Sequence, residues 1–306
     1  MANAKFVFLN DQIVPWEEAK VHVATVAFKF GTAVFEGLRG YWNEDEGQMY
    51  LFQLDAHMRR LEFSQRFMRF EGALDSAYVA EKTIELLRAN EFKEGVHILA
   101  TTFVDAFGPP VTSGPIGLSI TAAPRAEPRL REEGCTAQVS SWQRVSDVAM
   151  PMRVKCNANY QNGRLASLQA KADGYDTAIL LNSRGKISEG PAMCFFMIRD
   201  GKAVTTTITS DILESITRTT VMALLTEYCG VAVEERDIDR SELPAAEEAF
   251  FCGTAWEVTP VVAIDRLPVG DGKVGPVVRK LQQVYADIAS GKLSDHPQWR
   301  TPVYPG

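Results

Sequence analysis

The sequence lacks any run of about 18 consecutive apolar residues, which is the length that a membrane-spanning helix requires. Its first residues, MANAKFVFLNDQIVPW, lack the basic stretch followed by an apolar core that marks a secretory signal. We therefore expect no membrane span and no signal peptide.

Cysteine and histidine are scarce, with five and four residues in a chain of 306. No CxxC or CxH spacing occurs, and the histidines lie far apart. This distribution argues against a disulfide framework and against a structural zinc site. We predict no metal site and a reducing, cytoplasmic location.

Positive charge is not in excess, because 32 lysines and arginines stand against 39 acidic residues, for a net charge of −7. Phosphate-rich polymers need clustered basic residues, so nucleic acid is not expected as a partner. The remaining composition, 46% hydrophobic and 23% charged, is that of an ordinary globular protein.

Strands and helices alternate along the chain, with hairpin turns predicted at Asn10-Asp11 and Asp200-Gly201. We predict an α/β, α+β-like architecture of two domains, with largely antiparallel sheets flanked by helices. The stretch APRAEPRLREEG, residues 123–134, is typical of a linker between a domain at 1–122 and a larger one at 135–306. Asp55 is the predicted N-cap of a helix, and residues 152–160 are predicted to be a strand.

Lys155 lies in that stretch, MRVKCNANY. A lysine with its reference pKa of about 10.4 is protonated at neutral pH, and it becomes a nucleophile only when burial or a neighbouring cation lowers the pKa. Lys155 is therefore either a reactive amine or a strand-edge lysine that shields the sheet.

Three further stretches allow two interpretations each. Ser215 and Thr217 suit a phosphate-binding helix start, or an ordinary capped helix. Gly253-Thr254 allows a ligand to approach the backbone, or forms a plain bend. Glu189 is either a carboxylate that pairs with the ring nitrogen of a heterocyclic cofactor, or part of a solvated turn.

The order of these motifs resembles the class IV (fold type IV) pyridoxal-phosphate aminotransferases, and most closely the branched-chain amino acid aminotransferases. Four other stretches are similar to motifs of that family, so that the resemblance spans nearly the whole chain: VFEGLRGY at 34–41, HMRRL at 57–61, VSSWQR at 139–144 and VGPVVRKLQQ at 274–283.

The resemblance implies that Lys155 is the catalytic residue, which binds pyridoxal 5'-phosphate covalently and moves a proton during transfer. It also implies a set of cofactor contacts: Tyr160 to the phenolic oxygen, Glu189 to the pyridine nitrogen, Leu213 to the ring face, and Arg60 (rather than Arg59), Ile216, Thr217 and Thr254 to the phosphate.

The implied substrate pocket contains Phe30, Phe35, Gly37, His97, Leu99, Arg125 and Ala255. Several positions depart from the family pattern. The family's Y-x-R is His97-Ile98-Leu99 here, which removes the arginine that binds the distal carboxylate of glutamate. Arg125 or Arg129 is a candidate replacement, and solvated linker charges are the alternative. Glu214 brings a carboxylate to the predicted phosphate turn, where it should repel phosphate unless it points away. Trp256 is expected to narrow one side pocket.

The function that the resemblance implies is transfer of an amino group between an amino acid or amine donor and a 2-oxo acid. In this family residues are shared across a dimer, so at least a homodimer is expected. The alternatives are an (R)-amine or D-amino acid transaminase, a lyase of the aminodeoxychorismate type, and a non-catalytic cofactor-binding protein.

Overall fold

A computed structural model describes residues 4–125 and 129–305 of the chain. Its strands, in chain order, are β1 (Phe6–Leu9), β2 (Gln12–Pro15), β3 (Ala33–Asn43), β4 (Gln48–Phe52), β5 (Val96–Val104), β6 (Ile116–Pro124), β7 (Cys135–Gln143), β8 (Thr177–Leu181), β9 (Cys194–Arg199), β10 (Lys202–Thr205), β11 (Val233–Glu235), β12 (Glu248–Gly253), β13 (Glu257–Ile264), β14 (Leu267–Pro268) and β15 (Arg300–Pro302). Its α-helices are α1 (Val26–Phe30), α2 (Leu54–Phe67), α3 (Ser76–Asn90), α4 (Arg129–Glu133), α5 (Tyr160–Ala172), α6 (Ile216–Glu227) and α7 (Pro276–Ser290).

The chain forms two compact units, and neither is continuous in sequence. The first unit comprises residues 1–126, 154–158 and 287–306, and the second comprises residues 127–153 and 159–286. The predicted linker at 123–134 contains the first division between the units. Residues 154–158 and 287–306 lie within the range 135–306 that the sequence predicts as the larger domain, but they group with the first unit. Cys156 forms a bridge to Val34 of β3, and β15 pairs with β4.

The first unit contains a seven-stranded sheet with the order β15-β4-β3-β5-β6-β1-β2, in which every pairing is antiparallel. The turn between β1 and β2 places Asn10 and Asp11 at positive φ, as the predicted hairpin requires. Helix α2 packs against β3, and α3 packs against α2 and β1. Alternate residues of the strands and one face of each helix thereby form a buried apolar core.

The start of α2 differs from the prediction that Asp55 is its N-cap. The helix begins at Leu54, and its N-cap is Gln53, whose φ of 58° is left-handed. Gln53 is held there because its backbone N–H donates to the carbonyl of Trp299, at 2.7 Å. Asp55 lies instead in the first turn, where a carboxylate interacts favourably with the positive end of the helix.

The second unit contains a mixed sheet with the order β11-β10-β9-β12-β13-β7-β8, and β14 pairs with β13. The pairs β10–β11, β13–β7 and β7–β8 are parallel, and the others are antiparallel. Asp200 and Gly201 form the predicted turn between β9 and β10, both at positive φ. The prediction of an α/β fold with largely antiparallel sheets is confirmed.

The predicted strand at residues 152–160 is wrong. Cys156 makes one isolated bridge, to Val34, and a 3₁₀ turn at Asn157–Asn159 leads directly into α5. Val154 and Cys156 both enter the apolar core of the first unit, which gives the stretch the alternation of a strand. The asparagines that follow compete for backbone hydrogen bonds and favour a turn.

Within residues 4–125 and 129–305, no helix combines the length and the hydropathy that crossing a membrane requires. The same part of the chain shows no cluster of three or more side chains suited to hold a metal ion.

Candidate active site

Lys155 is held by its chain neighbours and by β3. Its backbone N–H donates to the Ser64 hydroxyl at 3.3 Å, and its carbonyl accepts the N–H of Phe35 at 3.0 Å. Val154 and Cys156, on either side of Lys155 in the chain, are buried in the core of the first unit. The Nζ atom of Lys155 lies 4.8 Å from the centre of the Phe35 ring. The amine is therefore fixed against an aromatic face.

The predicted pocket residues of β3 and β5 share one face of the first sheet. Phe35, Gly37 and Arg39 pair with Thr101, Leu99 and His97, respectively. A Cβ added to Gly37 would lie 3.4 Å from His97 Nε2 and 3.7 Å from Leu99 Cδ2. The structure thus brings Phe35, Gly37, His97 and Leu99 together on one face of the sheet.

His97 is neutral in this environment. Burial, together with the positive charges of Arg39 and Lys155, lowers its pKa from 6.5 to about 4. The imidazole of His97 therefore offers one N–H donor and no charge to a ligand that binds on the β3–β5 face.

Phe30 and Arg125 lie elsewhere in the first unit. Phe30 is the last residue of α1 and is 44% exposed. Arg125 follows β6, and its backbone N–H donates to the carbonyl of Gly95. Leu99 pairs with Thr121, four residues before Arg125, so the two backbones are about 13 Å apart. The structure does not bring Arg125 beside Leu99, and the side chain of Arg129 lies outside the described residues.

A buried cluster on the opposite face of β3 contains Arg60. Glu36 is fully buried, and its carboxylate accepts hydrogen bonds from Arg60 Nε at 2.6 Å and from Arg60 Nη2 at 2.7 Å. His57 Nδ1 lies 2.7 Å from Glu36 Oε2. Arg59 is exposed. Sequence reasoning missed Glu36 and His57, although both lie inside the quoted motifs.

Glu189, in the second unit, is buried and ion-paired. Its Oε1 lies 2.6 Å from Arg144 Nη2 and 3.4 Å from the backbone nitrogen of Leu213. Cys194 Sγ lies 3.9 Å from its Oε2. The arginine stabilises the negative charge of the buried carboxylate. Sequence reasoning also missed Arg144, although a buried carboxylate requires a cation nearby.

The start of α6 gathers small hydroxyl residues. Ser215 is the N-cap, and its Oγ accepts the N–H of Arg218 at 3.1 Å. The N–H groups of Ile216 and Thr217 belong to the first turn, which has no intrahelical acceptor for them. The hydroxyls of Thr217 and Thr254 lie 3.4 Å apart. Glu214 is turned to Arg153, whose Nε donates to it at 2.6 Å.

Thr254, Ala255 and Trp256 form the loop of the β12–β13 hairpin, in which Gly253 pairs with Glu257. Ala255 is exposed at the tip, whereas the Trp256 ring packs edge-on against Phe251, 6.3 Å between centres, in the core of the second unit.

Glu257 ends this loop in an unusual backbone conformation. It is buried at a positive φ of 50° and forms an ion pair with Arg131 of α4. A non-glycine residue in the left-handed region is strained, so other contacts must hold it there.

The predicted cofactor residues of the second unit fall into two groups. Glu189 and Leu213 form one, and Thr217 and Thr254 form the other, with the chain from Leu213 to Ile216 connecting them. Tyr160 is the first residue of α5.

Comparison with known proteins gives a consistent result. A sequence model of the family described as amino-transferase class IV matches residues 33–264. A probable branched-chain-amino-acid aminotransferase of Aquifex aeolicus is 40% identical over 301 residues, covering 98% of this chain and 97% of the relative. The branched-chain-amino-acid aminotransferase of Escherichia coli K12 is 34% identical, covering 97% and 96%.

Solved structures agree with this result. The branched-chain amino acid aminotransferase of Thermobaculum terrenum, solved in its PLP form, superposes with a TM-score of 0.93 at 42% identity and covers 99% of both chains. The branched-chain aminotransferase of the archaeon Thermoproteus uzoniensis, solved with norvaline, superposes with a TM-score of 0.92 at 35% identity, covering 98% of this chain and 100% of that one.

Proposed function

Because this chain belongs to the class IV aminotransferase family, we propose that it uses pyridoxal phosphate to move an amino group between branched-chain amino acids and 2-oxo acids. The observation that carries the proposal is the Glu189–Arg144 pair. A buried carboxylate held by a cation is what keeps a pyridine nitrogen protonated, so that the ring can accept electrons.

The donor groups of the second unit fit a phosphorylated pyridine ring. The first turn of α6 provides N–H groups and a positive dipole end, and the hydroxyls of Thr217 and Thr254 lie close together at that turn. Glu189 suits the ring nitrogen, and Leu213 is held to Glu189 through its backbone N–H. When bound, pyridoxal phosphate supplies the electron sink for the bond broken at the substrate α-carbon.

Lys155 carries the reactive amine. The bonds of its backbone to Ser64 and Phe35 fix its position, and the Phe35 ring covers one side of the amine. In this proposal the Lys155 amine would hold pyridoxal phosphate, and as a free amine it would move the proton at the substrate α-carbon. Tyr160 would hold the phenolic oxygen, and Arg60 would hold the phosphate.

The apolar groups on the β3–β5 face favour an aliphatic substrate side chain. Phe35 and Leu99 line it without charge, and Gly37, which lies opposite Leu99, adds no side chain to it. Ala255 and Thr254 at the tip of the hairpin are suited to bind the substrate carboxylate through their N–H groups. Phe30 remains a proposed pocket residue at the end of α1.

A transaminase of (R)-amines or D-amino acids is the second candidate. The observation that favours it is the pair His97 and Leu99, because a neutral imidazole and a leucine cannot bind a distal carboxylate as an arginine does. Arg125 is the proposed alternative cation. Its distance from Leu99 along the sheet means that it would act at the outer end of this face.

We further propose a homodimer or a larger homo-oligomer in the cytoplasm. The highly exposed apolar side chains of the first unit include Phe28 at 71%, Phe107 at 66% and Val111 at 86%. Phe107 and Val111 lie in the same loop, between β5 and β6. Exposed apolar groups that lie together are typical of a protein interface.

The test is a spectroscopic titration of the purified protein reconstituted with pyridoxal phosphate. We expect a visible absorbance band that borohydride reduction fixes to Lys155, and that L-leucine, L-isoleucine or L-valine bleaches. Bleaching only by a D-amino acid or an (R)-amine would establish the second candidate. Lys155→Ala should bind the cofactor without a covalent bond and abolish turnover, and unchanged turnover would refute both candidates.

A further inference from the structure

Glu36 is placed to orient one arginine. It lies on β3, on the face that α2 covers, and its fully buried carboxylate takes the Nε and Nη2 atoms of Arg60 in a parallel, two-point pair. His57, one helical turn before Arg60 on α2, contacts the same carboxylate through Nδ1. Three side chains from two elements thus form one cluster.

The charges in this cluster are fixed. Burial alone would raise the pKa of Glu36, but the charge of Arg60 and the hydrogen bonds from Arg60 and His57 lower it to about 2. Burial lowers the pKa of His57, and its bonds to Glu36 only partly oppose this. Glu36 is therefore a carboxylate beside a neutral imidazole, and a carboxylate can only accept. The Nδ1 atom of His57 must then carry the hydrogen.

We propose that Glu36 and His57 are positioning residues that hold the Arg60 guanidinium in the orientation that binds the cofactor phosphate. The inference rests on the proposed function. An arginine side chain has many rotamers in solution, and it loses this freedom when it is fixed. A two-point pair with Glu36 removes that freedom before the phosphate arrives, and it sets the plane in which the other N–H groups point.

Electrostatic repulsion between Glu36 and a phosphate predicts the opposite effect on binding, so the two explanations can be distinguished. Glu36 carries a negative charge close to the group that would bind a phosphate dianion, and by Coulomb's law alone it should weaken phosphate binding. Removal of the charge should then strengthen binding. The positioning role predicts the opposite, because an arginine released from Glu36 must be ordered again each time phosphate binds.

The experiment compares the dissociation constants of pyridoxal phosphate and of pyridoxal, which lacks the phosphate, for the wild-type protein and its variants. The dissociation constant of pyridoxal divided by that of pyridoxal phosphate reports the contribution of the phosphate alone. For Glu36→Gln we expect pyridoxal phosphate to bind about tenfold more weakly, which is the loss of one charge-assisted hydrogen bond, while pyridoxal binding changes less than about twofold. An unchanged or strengthened binding of pyridoxal phosphate would overturn the proposal.

Glu36→Asp is the matched variant, because it keeps the charge and shortens the side chain by one methylene. We expect it to reduce the ratio as well, since the pair with Arg60 can no longer form at both points. If Glu36→Gln does not fold, as judged by circular dichroism, Glu36→Asp decides the question. A wild-type ratio in Glu36→Asp would then refute the positioning role.

Arg59→Lys serves as the control, since Arg59 is exposed on the same helix turn, and its ratio should equal that of the wild type. Arg60→Lys keeps the charge but loses the planar fork, so its ratio should fall. A purely structural role of Glu36 would lower the melting temperature and leave the ratio unchanged, and this result would overturn the inference.

The proposed function fails in a different way. If the wild-type protein binds pyridoxal phosphate no more tightly than pyridoxal, no phosphate site exists, and the cofactor assignment itself is refuted. If the wild-type protein prefers the phosphate and the Glu36 variants keep that preference, only the role of Glu36 and His57 is refuted.

Discussion

Gly37 and Leu99 lie directly opposite each other on β3 and β5, and a Cβ on the glycine would lie 3.7 Å from the leucine Cδ2. The side chains of Leu99 and His97 already lie over the glycine at van der Waals distance. Leu99 is itself 36% exposed, so a longer side chain at this position has solvent to extend into. The pair therefore defines a place where substrate preference can be changed by one substitution.

Leu99→Arg should increase the use of L-glutamate. The new guanidinium would offer charge-assisted hydrogen bonds to the distal carboxylate, so we expect kcat/KM for glutamate to rise about tenfold or more. Leu99→Met is the control, because it has a similar length and no charge, and it should leave glutamate use unchanged. Equal glutamate rates in both variants would show that this face does not contact the distal carboxylate.

Arg144→Met should strongly destabilise the second unit, because it leaves Glu189 buried without its cation. Removal of one partner of a buried ion pair costs about 3–5 kcal/mol, which urea unfolding of the cofactor-free protein would measure. The double variant Arg144→Met/Glu189→Gln should recover part of this loss, since no unpaired charge remains. If the single and the double variants are equally stable, Arg144 and Glu189 do not stabilise each other.

His97 should make the stability of the protein depend on pH. Its pKa is about 4 when folded and 6.5 when unfolded, so between these values the unfolded chain binds more protons, and stability falls as the pH falls from 6.5 towards 4. We expect the contribution of His97 to the free energy of unfolding to drop by about 1–2 kcal/mol between pH 7 and pH 5. His97→Gln should lose less stability over this range than the wild type, and an identical loss would contradict the prediction.

Glu257→Ala should be less stable than Glu257→Gly. Both variants lose the ion pair with Arg131, but only glycine adopts the observed φ of 50° without strain. A non-glycine residue in the left-handed region costs about 1–2 kcal/mol, so the two variants should differ by about 1 kcal/mol in urea unfolding. Equal stabilities would mean that the hairpin changes its turn when the ion pair is lost.

The local structure was largely predictable where one residue type determines the backbone. Asn10-Asp11 and Asp200-Gly201 form the predicted hairpin turns because these residues tolerate positive φ. The N-cap of α2 was not predictable, because the bond that fixes Gln53 comes from Trp299, far away in the sequence. The strand predicted around Lys155 failed for a similar reason, since two buried side chains give a strand-like alternation without a strand partner.

The reactive and charged groups of the candidate site could be predicted from the sequence, but the residues that hold them in place could not. Lys155, Glu189 and Arg60 follow from recognisable motifs, and their roles remain predictions. The residues that hold them, Arg144 and Glu36, also lie inside quoted motifs, but their role is not visible there, because an ion pair between distant residues becomes visible only when the fold brings its members together. Propensity and periodicity do not contain this information.

Residues 154–158, which contain Lys155, and residues 287–306 belong to the first unit, although most of that unit is formed by the chain before residue 126. During synthesis on the ribosome, strands β1 to β6 emerge long before their partner strand β15 exists. The first unit can complete its sheet only after residues 300–302 have been synthesised. A fragment cut near residue 126 would therefore lack both the edge strand β15 and the segment that carries Lys155.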